Sequence, residues 1–370
     1  MIYLDHAATG GFKPTSVLSA VASSLKLCAN PGRGGHRLAV ACSERVNACR
    51  NLLSELFGGY GFDRVAFTKN CSEALNIAIL GGLKAGDHAI ATCLEHNSVL
   101  RPLEHLKKSG VIDYSIAGLS GGTISPQEIA SLVRENTKMC IVTTASNVCG
   151  VTPDLKAIRS MLPEEVLLVA DGAQGAGHLP ISMKETGIDA LALAGHKGLH
   201  GIQGAGALLF SERFDPEPLL FGGTGSESYN LDMPAFYPDK LECGTLSYPA
   251  IVSLYEGALI VKCNREKHAT QLLRLTTAVY EGLKRLDDYT AYFQPNSVGI
   301  AAFAHKRLSS EEVAGILDEY GIAVRGGLHC APLAHKALGT YPSGLVRASF
   351  SPFQGMREVD ILLKTLRAIR

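Results

Sequence analysis

From about residue 65 to 210 the chain alternates short apolar runs with longer amphipathic stretches, and few folds accept that rhythm. Six of the runs read as strands: 64–68, 88–93, 139–144, 165–170, 189–194 and 206–210. Strands separated by helical stretches build an α/β domain with a mostly parallel sheet. Each of the first five runs ends in polar or small residues, at the edge where open sheets of this class bind ligands. Residues 214–245, rich in Gly, Pro and Ser, are long for a plain connection and read as a functional or intersubunit loop. A helical segment follows over 251–286. The tail then alternates again, with strands at 297–303, 322–324 and 345–350 and helices at 309–320 and from 357, as a second, smaller α/β domain.

A length of 370 residues suits about two domains. Lys+Arg and Asp+Glu stand at 35 each, so no global field favours nucleic acid or an acidic membrane, and a small-molecule substrate is expected. The opening Met1-Ile2-Tyr3-Leu4 lacks the basic start and apolar core of a secretion signal, and no apolar run reaches membrane-spanning length, so a cytoplasmic location is expected. The ten cysteines lie mostly in apolar runs and include no Cys-x-x-Cys pair. They read as reduced thiols, with neither a disulfide framework nor a metal site expected.

The residues with chemistry gather at the strand ends. Lys197 closes the run 189–194 through Gly195 and His196; partly desolvated there, its amine loses a proton readily and forms Schiff bases with aldehydes such as pyridoxal phosphate. Asp171 follows the run 165–170 directly, and a carboxylate buried at a strand end needs a cationic partner such as a protonated pyridine nitrogen; an ordinary Asp-Gly turn fits the same dipeptide. Gln174 stands within reach of a phenolic oxygen on the same ring. Cys71-Ser72-Glu73 opens a helix after a strand, suited to a phosphate or to a plain N-cap. His96 either lies on a cofactor ring or is a polar loop residue, and Asn147 either offers its amide to a ligand or forms a turn before Gly150. Cys330, in a glycine-containing loop beside His329 and five residues after Arg325, is the best nucleophile candidate. Arg347, on an apolar strand, suits a substrate carboxylate or a structural ion pair.

Together these segments resemble the class V aminotransferase family of pyridoxal-phosphate enzymes, and within it the cysteine desulfurases and selenocysteine lyases. The likeness runs nearly end to end. It rests on the stretches Tyr3 to Thr9, Asn30 to His36, Ser72 to Asn76, Glu95-His96, Ser146-Asn147, Asp171 to Gln174, Gly195-His196-Lys197, Glu242 to Thr245 and Arg325 to Cys330. The order and spacing of the set are specific where each part is weak.

The resemblance implies a fold type I homodimer, its large domain holding a mostly parallel seven-stranded sheet over residues 11–255. Residues 1–10 and 256–370 would form the small domain with the nucleophile loop. Lys197 would be the Schiff-base lysine, Asp171 the partner of the pyridine nitrogen, Gln174 the contact to the phenolic oxygen and His96 the stacked imidazole. Cys71, Ser72 and His196 would complete the cofactor site, with Thr245 joining from the other subunit. Arg347 and Asn147, with Arg325 and Ala7, would bind the amino-acid substrate. Cys330 would take sulfur from L-cysteine as a persulfide, leaving L-alanine, or handle selenium from L-selenocysteine, and pass the chalcogen to an acceptor protein. The Arg-x-Gly-x-His-Cys spacing is similar to the Suf-type branch. Two departures stand out: Ala194 replaces the Ser or Thr that often assists phosphate binding, and 336–344 is slightly longer than in Suf-type enzymes, which leaves the lid and the chalcogen open. Other readings are a different lyase, aminotransferase or epimerase with this cofactor, or a sulfur-trafficking scaffold without it.

Overall fold

The computed structural model of the protein describes residues 1–32 and 34–369; Arg33, within the 30–36 stretch, and the terminal Arg370 lie outside them. Its twelve strands are β1 (Ile2–Tyr3), β2 (Val65–Thr68), β3 (His88–Thr92), β4 (Asp113–Ala117), β5 (Thr137–Thr143), β6 (Leu167–Asp171), β7 (Ala190–Ala194), β8 (Gly206–Phe210), β9 (Tyr289–Ala291), β10 (Ile300–His305), β11 (Ile322–Ala323) and β12 (Val346–Ser349). Seven form one sheet in the order β2-β8-β7-β6-β5-β3-β4. Only the pairings of β8 with its two neighbours are antiparallel. The expected mostly parallel seven-stranded sheet is present.

Chain order within this sheet positions the site. From β3 the chain steps outward to β4, then returns to the other side of β3 and continues through β5, β6 and β7. The β3–β5 boundary is therefore a topological switch point, where crossovers leave in opposite directions and open a crevice. Strands β3, β5, β6 and β7 are buried along almost their whole length, as expected of parallel strands covered on both faces. In the core around this sheet, Leu191 and Leu193 of β7 enter the layer on one face, whereas Ala190, Ala192 and Ala194 enter the layer on the other with Cys71, Ala74 and Ala78 of the helix Cys71–Gly82. Small side chains on both surfaces bring the start of that helix close to the end of β7.

The second core is built on a three-stranded antiparallel sheet, β12-β10-β9, with the helices Ser310–Glu319 and Met356–Ala368. β1 pairs in parallel with β11, and Leu4 is buried in this core. The helix Tyr248–Leu283 serves both cores, placing Ala250 to Val261 in the first and Leu272 to Leu283 in the second.

Two expectations about elements need correction. A strand was expected over 297–303, but β10 begins at Ile300, because Gly299 turns at φ 76° and the Asn296 side chain hydrogen-bonds both the N–H and the carbonyl of Ile300. The half-exposed edge strand β4 and the three-residue β9 were not expected. Among the described residues no helix is long and apolar enough to cross a membrane, no group of His, Cys, Asp or Glu could hold a metal ion, and all ten cysteines are free.

Two buried acids hold the framework near the site. Glu242 receives both terminal nitrogens of Arg50 at 2.7 and 2.6 Å and also accepts from the Phe67 N–H, which ties the connection before Tyr248 to β2. Glu95, fully buried, sits at the switch point, where Oε1 accepts from Thr92 Oγ1 at 2.6 Å and from the Thr143 N–H at 2.9 Å, joining the ends of β3 and β5. Its Oε2 has no partner among the described residues. Burial raises this carboxyl from 4.5 to about 8, with Asp171 adding and the hydrogen bonds from Thr92 and Thr143 opposing.

Arg50→Met should strand a buried carboxylate and destabilise the fold by roughly 3–5 kcal/mol, read as a lower thermal midpoint. For Glu95 the folded-state pKa lies above the unfolded one, so the native state holds the proton more tightly and stability falls as pH rises from 4.5 to about 8. Glu95→Gln, which keeps the neutral shape, should flatten that fall, removing up to about 1.4 kcal/mol of loss per pH unit. Thermal unfolding of both proteins across this range checks it; parallel pH profiles would refute the assignment.

Candidate active site

Residues following four adjacent parallel strands converge on one cavity. Its walls carry Lys197 after β7, Asp171 at the end of β6, Asn147 after β5 and His96 after β3, together with Asn70, Cys71, Ser72, Ser98, Gln174, Ala194 and His196, around about 490 Å³ of empty space. Burial lowers the Lys197 pKa from 10.5, while Asp171 and then Cys71 pull it upward and Arg347 and Arg325 add to the lowering. A larger neutral fraction makes the amine a nucleophile and a base. Asp171 is buried, and its Oδ1 accepts from the Ala173 N–H at 2.8 Å and stands 3.5 Å from Cys71 Sγ. It forms no ion pair among the described residues. Burial and the neighbouring Asp171 hold the Cys71 thiol well above its ordinary value, so it faces the carboxylate as a neutral weak donor.

Two helices start at this cavity. Cys71–Gly82 is capped by Asn70, whose side chain accepts from the Glu73 N–H, so the ordinary N-cap role weighed for Ser72 belongs to Asn70. Asn97–Lys108 is capped by His96, whose Nδ1 accepts from the Ser98 N–H at 3.0 Å. That bond assigns the ring proton to Nε2, and burial lowers the His96 pKa, with Asp171 opposing. The Ser72 and Ser98 hydroxyls lie 2.6 Å apart between the two helix starts. Two positive helix ends and paired hydroxyls suit a phosphate. Ser98 was not among the sequence candidates; its signal was His96-Asn97-Ser98 ahead of an amphipathic helix.

The other cofactor candidates are tied to the chain's beginning. Gln174 donates through Nε2 to the Ala7 carbonyl at 2.9 Å, and His196 Nδ1 lies 3.0 Å from Thr9 Oγ1. Burial, then the charges of Lys197 and Lys13, push the His196 ring down to about 4. Thr245 does not reach this cavity within its own chain; it lines a separate cleft with Phe67, Lys69, Glu73 and Ser247.

Arg347 is almost fully buried, donating to Asp5 Oδ1 at 2.9 Å and to the Asn147 carbonyl at 2.8 Å, while its Nε–H has no partner among the described residues. The structural ion pair considered from sequence exists, and a donor remains beside it. Asn147 gives its amide N–H to the His329 carbonyl at 2.8 Å, so that donor is engaged by the nucleophile loop. Ala7 is also engaged, its N–H donating to Ser349 Oγ at 2.9 Å. Cys330 is exposed, with an Arg325 nitrogen 3.9 Å from Sγ. His329 and Cys330 both occupy the left-handed region, at φ 50° and 58°, a strain of about 1–3 kcal/mol each that surrounding contacts must hold. One such contact is the Asn97 N–H on the Cys330 carbonyl at 2.7 Å. Cys330 lines an outer cleft that shares Ser72, His96 and Ser98 with the inner cavity.

Pyridoxal phosphate fits the donor set: an amine with a lowered pKa, a buried carboxylate lacking an ion-pair partner, and two helix starts with paired hydroxyls. Comparison with known proteins points the same way. Residues 2–362 match the family described as aminotransferase class-V. Proteins named probable cysteine desulfurase from Methanothermobacter thermautotrophicus and Pyrococcus abyssi are 32% and 33% identical to it, each alignment covering 100% of this chain and 94% of the relative. The apo structure of a cysteine desulfurase from Thermococcus onnurineus NA1 has 30% identity and a TM-score of 0.91, covering 100% of this chain and 94% of that one. With the family pattern matched along nearly its whole length and its strand-end residues gathered into one cavity, this chain belongs to the class V aminotransferases.

Proposed function

We propose that the protein is a cysteine desulfurase that uses pyridoxal phosphate to convert L-cysteine to L-alanine, with the sulfur received by Cys330. The observation that carries the reading is an exposed cysteine on a strained loop, at the mouth of the cavity that holds Lys197. Bound there, pyridoxal phosphate supplies the aldehyde for Lys197 and a ring that stabilises negative charge at the substrate Cα. Asp171 would keep a proton at the pyridine nitrogen, Gln174 would hold the phenolic oxygen and His96 the ring. Ser72 and Ser98 at the two helix starts hold the phosphate with His196, and Ser98 offsets the hydroxyl absent at Ala194. Cys71 acts through Asp171, as a neutral thiol beside the carboxylate.

Arg347 grips the substrate carboxylate, assisted by Arg325 and the second amide N–H of Asn147, whereas the Ala7 N–H is taken by Ser349. Lys197, its pKa lowered by burial, would take the Cα proton as general base. Cys330 Sγ, as thiolate, attacks the substrate sulfur: the new S–S bond forms as the Cβ–S bond breaks, and protonation completes alanine. A persulfide on exposed Cys330 is open to an acceptor protein. L-selenocysteine fits the same groups as a second substrate. The active form is a homodimer in which Thr245 serves the other subunit's phosphate site, and ten free thiols suit the reducing cytoplasm.

Cys330→Ala should lower alanine formation from cysteine by more than about 100-fold while visible cofactor absorbance persists. Pyruvate and ammonia as products, or undiminished desulfuration, would overturn the reading, and parallel assays with selenocysteine give the chalcogen preference. Arg347→Lys, which loses the planar fork, should raise KM for cysteine about 10-fold or more with a smaller change in kcat. An unchanged KM would remove Arg347 from substrate binding.

A further inference from the structure

Residues 5–13 reach three of the groups near Lys197: Arg347, Gln174 and His196. Asp5 receives Arg347 at 2.9 Å, the Ala7 carbonyl receives Gln174 at 2.9 Å, and Thr9 Oγ1 meets His196 Nδ1 at 3.0 Å and receives Gln203 at 3.2 Å. The segment is braced by the Tyr3 hydroxyl, which donates to the Asp5 and Thr9 carbonyls at 3.0 and 3.1 Å. It is anchored on β12 by the Ala7 N–H on Ser349 Oγ, two residues from Arg347.

The tightest convergence is on the carbonyl of His196, in the peptide that joins His196 to Lys197. β7 ends its pairing with β8 at Ala194, so the sheet does not hold this peptide. Its carbonyl oxygen instead accepts from the Gly10 N–H at 2.9 Å and from Lys13 Nζ at 3.2 Å. Among the described residues these are the only hydrogen bonds to that oxygen. Lys13 is half-buried and forms no ion pair, so its ammonium is committed to a backbone oxygen. The approach is close: a Cβ at position 10 would lie 3.1 Å from the His196 oxygen, 3.2 Å from Lys13 Nζ and 3.4 Å from the Lys197 oxygen, so those neighbours would have to give by a few tenths of an ångström.

We infer that Lys13 is a positioning residue for Lys197, fixing the peptide before it through the His196 carbonyl and so setting where the Lys197 amine stands relative to Asp171. The inference rests on the Schiff-base role proposed for Lys197. Lys13 is not itself among the residues lining the cavity and makes no contact with Arg347; it meets the lining only through the His196 backbone, so its loss should affect turnover more than substrate binding.

Lys13→Met keeps the length and removes the donor; Lys13→Arg keeps a charged donor. In the methionine variant kcat should fall about 10-fold while KM for cysteine stays within about 2-fold, and the arginine variant should recover most of the loss. In the cofactor-free protein, amide hydrogen exchange at residues 10 and 195–201 should quicken in Lys13→Met and not in Lys13→Arg. Wild-type kcat and exchange in Lys13→Met, or equal damage in both variants, would overturn the inference. If Lys13→Met does not fold, Gly10→Ala crowds the same carbonyl with the charge intact; unchanged exchange over 195–201 there would also overturn it. Borohydride reduction of Lys197→Ala tests the Schiff-base role separately: a covalently retained cofactor would refute that role, while exchange still reads Lys13's hold on His196.

Discussion

An amine and a carboxylate held out of water without closing into an ion pair define this site. Burial pushes Lys197 toward its neutral form, and Asp171 pulls it back. An ion pair within 4 Å would fix the ammonium and occupy the carboxylate, leaving neither free for a ligand. The two groups end different strands, β7 and β6, and Asp171 is steadied by a backbone N–H and the Cys71 thiol, neither of which neutralises it. A buried carboxylate so arranged can receive a cation or a protonated ring nitrogen.

That arrangement depends on strand order. The crevice opens where the sheet reverses between β3 and β5, and Glu95 holds its two sides together with one oxygen. The alanine face of β7 brings the Cys71–Gly82 helix in on one side, while His96 starts the Asn97–Lys108 helix on the other. The space between the two helix starts is therefore a product of side-chain size in β7 as much as of the polar residues lining it. Ala194 belongs to that small-residue face, which gives its methyl group a packing role where a hydroxyl would otherwise stand.

Legibility in the sequence followed burial and range. β3, β5, β6, β7 and β8 were readable because full burial makes each a continuous apolar run, and Lys197 and Asp171 stood out as polar breaks at their ends. β4 carries Asp113, Tyr114 and Ser115 on a half-exposed edge and gave no such run. Local motifs identified Cys330 and Arg347 but not their contacts, since the Asp5–Arg347 pair joins residues 342 positions apart. Ser98 and Lys13 were missed for the same reason: a serine in a helix start and a lysine before a proline acquire meaning only when the fold brings a second helix and the His196 carbonyl beside them.

The loop 325–330 and the buried Arg347 are joined by one set of hydrogen bonds. Arg347 donates to the Asn147 carbonyl, Asn147 donates to the His329 carbonyl, His329 Nε2 meets the Arg325 carbonyl at 3.1 Å, and Arg325 and Arg347 exchange backbone hydrogen bonds at 3.2 and 2.8 Å. This closed circuit holds His329, the first of two successive left-handed residues, while the Asn97 N–H holds the second, Cys330. The Arg347 guanidinium is also held by Asp5, at the start of the segment that ends on the His196 carbonyl. Groups from the two cores thus share one short chain of bonds, with Arg347 at its centre.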